Sequence, residues 1–144
     1  MYKRAASLVA DQGYTNVMTF KGGIPAWVKA GYSLDRSSAL PKERVPTIKP
    51  GQLKQKLGTV QIVDIRTQKL LKMGWIQGSL KIAMGKLSAD YGQIPKDKPV
   101  VVVDHAGKQV LTACRFLKSK GYTDVSRLQG GTMAWNQKGF GLEK

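Results

Sequence analysis

The chain has 144 residues, 42% hydrophobic and 23% charged, which gives room for one domain of ordinary size and is too apolar for a disordered tail. Lysine and arginine number 24 against 9 aspartates and glutamates, a net charge of +15, so the surface is basic and open to an anionic partner. The single cysteine, Cys114, excludes an internal disulfide and a multi-cysteine metal site, and no apolar run approaches the ~20 residues of a membrane-spanning helix. Residues 1–12 lack the apolar stretch of a signal peptide, so the default location is cytoplasmic, with a periplasmic one open if the native start lies upstream. No metal and no cofactor are expected. Nothing resembles a base-reading basic helix or an aromatic-studded RNA motif, so nucleic acid is not an expected partner.

In chain order, residues 4–12 read as a helix and 17–20 as a short strand, and Gly22-Gly23 precedes a short helix carrying Trp27. Residues 33–49 hold Ser37, Ser38, Pro41, the charged Lys42-Glu43-Arg44 and Pro46, the composition of a linker, with the next domain starting near Val45. A helix is predicted over 49–57, with Pro50 in its first turn and Gly58 at its end. Gln61-Ile62-Val63-Asp64-Ile65 is apolar and β-branched, a buried strand. Residues 67–73 form a short helix ended by Gly74, 79–82 a strand, and 86–91 a short helix or turn. Val100 to Val103 are four valines without polar alternation, as the centre of a parallel sheet covered on both faces requires. Residues 110–120 read as a helix, with Val110, Ala113, Cys114 and Leu117 on one stripe and Gly121 at its end. Residues 125–128 are the next strand, and Gly130-Gly131 opens a last helix through Trp135. Strands alternating with helices predict an α/β fold, a mostly parallel central sheet flanked by helices on both faces.

The chain also repeats itself. Gly13-Tyr14-Thr15-Asn16-Val17 recurs 108 positions later as Gly121-Tyr122-Thr123-Asp124-Val125. At the same offset Ala5 falls on Ala113, Gly22-Gly23 on Gly130-Gly131, Ala26-Trp27 on Ala134-Trp135 and Gly31 on Gly139. The first copy matches only the end of the second. The organisation expected is therefore a C-terminal remnant of a first repeat at 1–32, a linker at 33–44 and a complete domain at 45–144. A lone strand and two helices need a surface to cover, so the remnant is expected to dock on the complete domain or on a second chain, as a protein partner or a homo-oligomer.

Ligands of open α/β sheets bind beyond the carboxyl ends of the strands. The candidate site is the loop Asp104, His105, Ala106, Gly107, Lys108 and Gln109, between the valine strand and the following helix. Backbone N–H groups and the helix dipole converge at such a loop, a cradle for a thiolate, persulfide, sulfate or phosphate.

Several motifs accompany this loop in a fixed order: Val63-Asp64-Ile65-Arg66, Gly74-x-Ile76-x-Gly78, Pro95-x-Asp97-Lys98-Pro99, Leu117-x-x-x-Gly121-Tyr122-x-x-Val125 and Gly130-Gly131-x-x-Ala134-Trp135-x-x-x-Gly139. In these features residues 45–140 resemble the rhodanese family, and residues 4–32 resemble the end of a preceding rhodanese repeat. The resemblance implies a sulfurtransferase, in which a loop cysteine holds sulfane sulfur as a persulfide between a donor such as thiosulfate and a thiophilic acceptor. The family loop runs Cys-x-x-Gly-x-Arg, whereas this one runs Asp104-x-x-Gly107-x-Gln109, and Trp75 stands where a histidine commonly follows the glycine.

A carboxylate cannot form a persulfide and repels an anionic donor, and an arginine absent at 109 removes a bidentate anion ligand. With Asp104 at the nucleophile position, no catalytic residue is expected, and the Asp104 carboxylate is expected to fill the cradle itself. The reading is a catalytically inactive rhodanese-like module with a binding, regulatory or structural role connected to sulfur metabolism. The alternative is sulfur transfer from thiosulfate or a persulfide through Cys114 or through a repeat missing from this chain. Asp64 and Arg66 are expected to support the loop, and Trp75 to fill the histidine's space or line the rim. Lys108 is the retained cation for a small anion. Asp104 and His105 compose an acid/base pair on paper, but neighbours at a strand end diverge, and His105 reads as an exposed loop residue. Cys114 reads as a buried small hydrophobe, and Trp27 and Trp135 as packing anchors.

Overall fold

A computed structural model describes residues 2–34, 40 and 42–144. The chain divides into two compact units, Met1–Ala39 and Leu40–Lys144. The first holds two helices, α1 (Tyr2–Asp11) and α2 (Gly23–Lys29). Residues 17–20, expected as a strand, are instead without regular structure. The reason is physical: a strand exists by its ladder, and no other strand lies among the described residues of this unit. Of the linker read at 33–44, residues 35–39 and 41, with Ser37, Ser38 and Pro41, lie outside the described residues.

The second unit is a sheet of five strands in the order β1-β5-β4-β2-β3, with every pairing parallel. The strands are β1 (Thr47–Ile48), β2 (Gln61–Asp64), β3 (Ser79–Lys81), β4 (Val100–Val103) and β5 (Val125–Leu128). Between them run α3 (Pro50–Gln55), α4 (Gln68–Leu71), α5 (Leu87–Asp90), α6 (Val110–Ser119) and, last, α7 (Gly131–Gln137). β1, which the sequence reading does not include, lies at the start of the domain read at 45–144. Two residues are too few to show alternation, yet the Pro46 carbonyl accepts from the Arg127 N–H at 3.0 Å and the Ile48 carbonyl from the Gln129 N–H at 2.9 Å. The helices predicted at 49–57 and 67–73 are shorter than read, and 3-10 turns at Met84–Lys86 and Tyr91–Gln93 flank α5.

β4 lies at the centre, and its four valines are at most 1% exposed. Because side chains alternate between faces, Val100 and Val102 join one core and Val101 and Val103 the other. The first core includes Val63, Ile65 and the α6 stripe of Val110, Ala113, Cys114 and Leu117. The second joins Ile62 and Leu128 to Leu53 of α3 and Trp135 of α7. The sheet is thus covered on both faces, and the loop at 104–109 emerges from its centre.

Candidate active-site loop

Asp104 is the first residue beyond β4, and its side chain turns inward to 5% exposure. Its two carboxylate oxygens divide between two loop N–H groups. Oδ1 accepts from the Gly107 N–H, and Oδ2 accepts from the Gln109 N–H at 2.8 Å. Gln109 is the N-cap of α6, so the carboxylate lies at the positive end of that helix. One side chain therefore takes up N–H groups that the loop geometry directs at an anion.

The loop backbone is clamped from the other side by α7. The Asp104 and His105 carbonyls accept from the N–H groups of Thr132 and Met133 at 2.9 and 3.0 Å. The approach is close: a Cβ on Gly131 would lie 2.5–2.6 Å from the Asp104 and His105 backbone, at a φ of +61°. Only glycine fits there. Gly107, at φ +79°, in turn packs against Gly130.

Beneath the loop, Arg66 and Asp64 form a buried ion pair, with the guanidinium Nη2 2.6 Å from the Asp64 Oδ2. Arg66 also donates to the Gly74 carbonyl at 2.7 Å and to the Thr132 hydroxyl at 3.4 Å. It therefore ties the end of β2 to the turn after α4 and to the first turn of α7. A pair so completely satisfied acts through geometry, holding Thr132, which holds the loop. Thr132, which the sequence does not single out, is the missing member of this set. Its one sequence signal is that it differs from the residue 108 positions earlier, Ile24.

Trp75 lies to the side. It bridges Glu143 by backbone hydrogen bonds, its indole N–H donates to the Glu143 carboxylate at 3.2 Å, and Lys81 Nζ sits 3.6 Å above its ring. His105, expected to be exposed, is half-buried, with a hidden Nδ1 that meets no hydrogen-bond partner among the described residues. The loop's clasp on α7 turns it inward. Lys108 and Gln109 are exposed. Cys114 is not part of the loop: it is fully buried on α6, its thiol faces the Ser126 carbonyl at 3.5 Å, and burial pushes its pKa up to about 12 against the opposing pull of Arg127 and Lys118. Among the described residues no group of three His, Cys, Asp or Glu is placed to hold a metal, and no helix is long and apolar enough to cross a membrane.

Residues 49–138 match the family described as Rhodanese-like domain. The chain is 36% identical over 81 residues to a sulfurtransferase of Allochromatium vinosum, which covers 56% of this chain and 76% of that protein. It is 37% identical over 79 residues to a thiosulfate sulfurtransferase GlpE of Shewanella oneidensis, covering 55% of this chain and 78% of that protein. The crystal structure of a rhodanese-like domain protein from Staphylococcus aureus matches with a TM-score of 0.61 at 26% identity, over 69% of this chain and 100% of that one. An all-parallel sheet carrying its loop beyond the central strand, matched in sequence over most of that unit, places this chain in the rhodanese-like family.

Proposed function

We propose that this rhodanese-like domain does not transfer sulfur and serves as a binding, regulatory or structural module. The observation that carries the reading is the Asp104 carboxylate bonded to the Gly107 and Gln109 N–H groups. By the resemblance, Asp104 stands at the nucleophile position and Gln109 at the arginine position. A carboxylate there offers no sulfur-bearing atom, and it occupies donors that an anionic donor or persulfide would need. Cys114 is a poor substitute: a buried thiol held protonated at neutral pH lacks the thiolate that sulfur transfer requires.

The same reading assigns residues 1–32 to the end of a preceding repeat, 33–44 to a linker and 45–144 to the complete domain. Support comes from matching local geometry 108 positions apart: Gly22 and Gly130 have φ of +88° and +70°, and Gly23 and Gly131 of +59° and +61°. The apolar side chains exposed on the first unit, Met18, Phe20 and Ile24 among them, support its docking on the complete domain or a second chain.

The test is a thiosulfate-to-cyanide transfer assay on the wild type beside Asp104→Cys/Gln109→Arg. An inactive wild type and an active double variant are expected. Wild-type activity that disappears in Cys114→Ser would overturn the proposal and move the sulfur route to Cys114.

A further inference from the structure

The exposed large apolar side chains of the described residues gather in one place: apart from Met73 and Met133, all of them lie between Leu8 and Leu34. Contiguous apolar surface of that kind marks an interaction site. What fits it is legible from the second unit, because the two units share a pattern 108 positions apart.

Within the first unit an open groove of about 460 Å³ runs between α1 and residues 16–20, lined by Ala5, Ala6, Val9, Tyr14, Val17 and Met18 among others. The residues 108 positions on from the first five are Ala113, Cys114, Leu117, Tyr122 and Val125. All five belong to one core with Val100 and Val102 of β4. In the second unit, then, the corresponding surface is closed by a strand. Leu117 is 0% exposed and Tyr122 4%, whereas Val9 is 42% exposed and Tyr14 67%. The backbone agrees with the side chains. β5 pairs β4 in parallel, with Val125 opposite Val100 and Arg127 opposite Val102. Val17 to Phe20 lie 108 positions before Val125 to Leu128, and none of their N–H groups meets a backbone acceptor among the described residues. The groove therefore offers an apolar floor and, along one side, main-chain donors without a ladder.

Charge narrows the occupant. Residues 1–34 carry Lys3, Arg4, Lys21 and Lys29 against a single carboxylate, Asp11. The strand that closes the corresponding surface of the second unit lies between Asp97 and Asp104. That strand, β4, is paired on both edges, by β2 and β5, so the complete domain cannot lend it.

We propose that the groove between α1 and residues 17–20 takes up a short β-strand of a partner polypeptide, apolar on the face turned to α1 and flanked by acidic residues. The main chain of residues 17–20 supplies the ladder, and the groove reads the alternate side chains of the incoming strand. The proposal rests on assigning residues 1–32 to the end of a repeat and names what that remnant binds. It is independent of the chemistry of the loop at 104–109.

The test is a titration of the full ¹⁵N-labelled chain with a free peptide of residues 97–105, which carries the four valines between Asp97 and Asp104. Saturable shifts of the Ala5, Val9 and Val17 to Phe20 amides are expected, with slowed hydrogen exchange at residues 17–20. Lysine in place of both Val100 and Val102 of the peptide should weaken binding by about tenfold or more, and lysine in place of Val101 and Val103 by less, because alternation turns only the first pair to α1. Lysine in place of the two aspartates should weaken it by a smaller factor that fades with salt. On the protein, Val9→Asp should abolish binding, and the exposure of Val9 lets the fold keep the charge. A linear response, equal binding of the two valine-to-lysine peptides, or sedimentation of a dimer joined through residues 17–20 would overturn the proposal, the last by assigning the groove to a second copy. Contacts between the Trp27 and Tyr32 rings in the same spectra report the repeat reading. With those contacts intact a failed titration removes the strand site alone, and their absence removes the reading as well.

Discussion

Trp27 and Trp135 stand 108 positions apart in nearly identical turns, yet one is 40% exposed and the other 1%. Each indole N–H donates to a carbonyl six residues on, Ser33 for Trp27 and Gly141 for Trp135. Each ring packs an aromatic five residues on, Tyr32 at 4.7 Å and Phe140 at 4.9 Å. The N–H of that second aromatic returns to the tryptophan carbonyl in both. What differs is the company. Trp135 belongs to a core with Leu53, Ile62, Val101 and Leu128, whereas no residue of α2 is buried. Glycine and aromatic spacing is enough to write the turn; burial needs a sheet.

The comparison is sharpest in a pair of truncations. Trp135→Ala should cost about 3–5 kcal/mol, and Trp27→Ala about 1 kcal/mol at most. Urea unfolding of the two variants measures this, and equal losses would mean that Trp27 is anchored in solution as firmly as Trp135.

Next in size is the glycine pair. Gly131→Ala meets both a left-handed backbone and the Asp104 and His105 carbonyls, whereas a Cβ on Gly23 finds nothing nearer than Pro25 at 3.9 Å. Losses of about 2–4 kcal/mol at Gly131 and about 1–2 kcal/mol at Gly23 are expected, the latter from backbone strain alone. Thermal unfolding distinguishes them, and a Gly23→Ala loss as large as that at Gly131 would show a surface pressed against the first copy too.

The smallest effect is a slope. The residue 108 positions before Cys114 is Ala6, so this titration has no counterpart in the first unit. Its folded-state pKa of about 12 lies above the ordinary 9.0, so the folded state holds this proton more tightly. The resulting stability is fully present below pH 9 and is lost as pH rises toward 12. Urea midpoints between pH 8 and 11 should therefore fall less steeply for Cys114→Ala than for the wild type. Parallel slopes would place Cys114 in contact with water.

Where the sequence spoke clearly, one physical signal sufficed. β4 and β5 have the bounds read from unbroken valines and from the run before Gly130-Gly131, and α6 ends one residue short of the reading at Gly121. The loop followed, because any segment between a central strand and a helix lies at the sheet's carboxyl edge. β1 escaped because two residues hold no period, and residues 17–20 misled because strand-like composition cannot supply a neighbour. Thr132 escaped for another reason: only the folded sheet brings it beside Arg66 and the Asp104 carbonyl.

A loop closed by its own carboxylate also changes what can control it. Where a bound anion organises a loop, the shape of the surrounding face rises and falls with the supply of that anion. On the function proposed above, the counter-charge is covalently part of Asp104, so the face around residues 104–109 is expected to keep one shape at any sulfate, phosphate or thiosulfate concentration. A partner that recognises that face would meet a constitutive surface, and regulation of the encounter would have to enter elsewhere on the molecule.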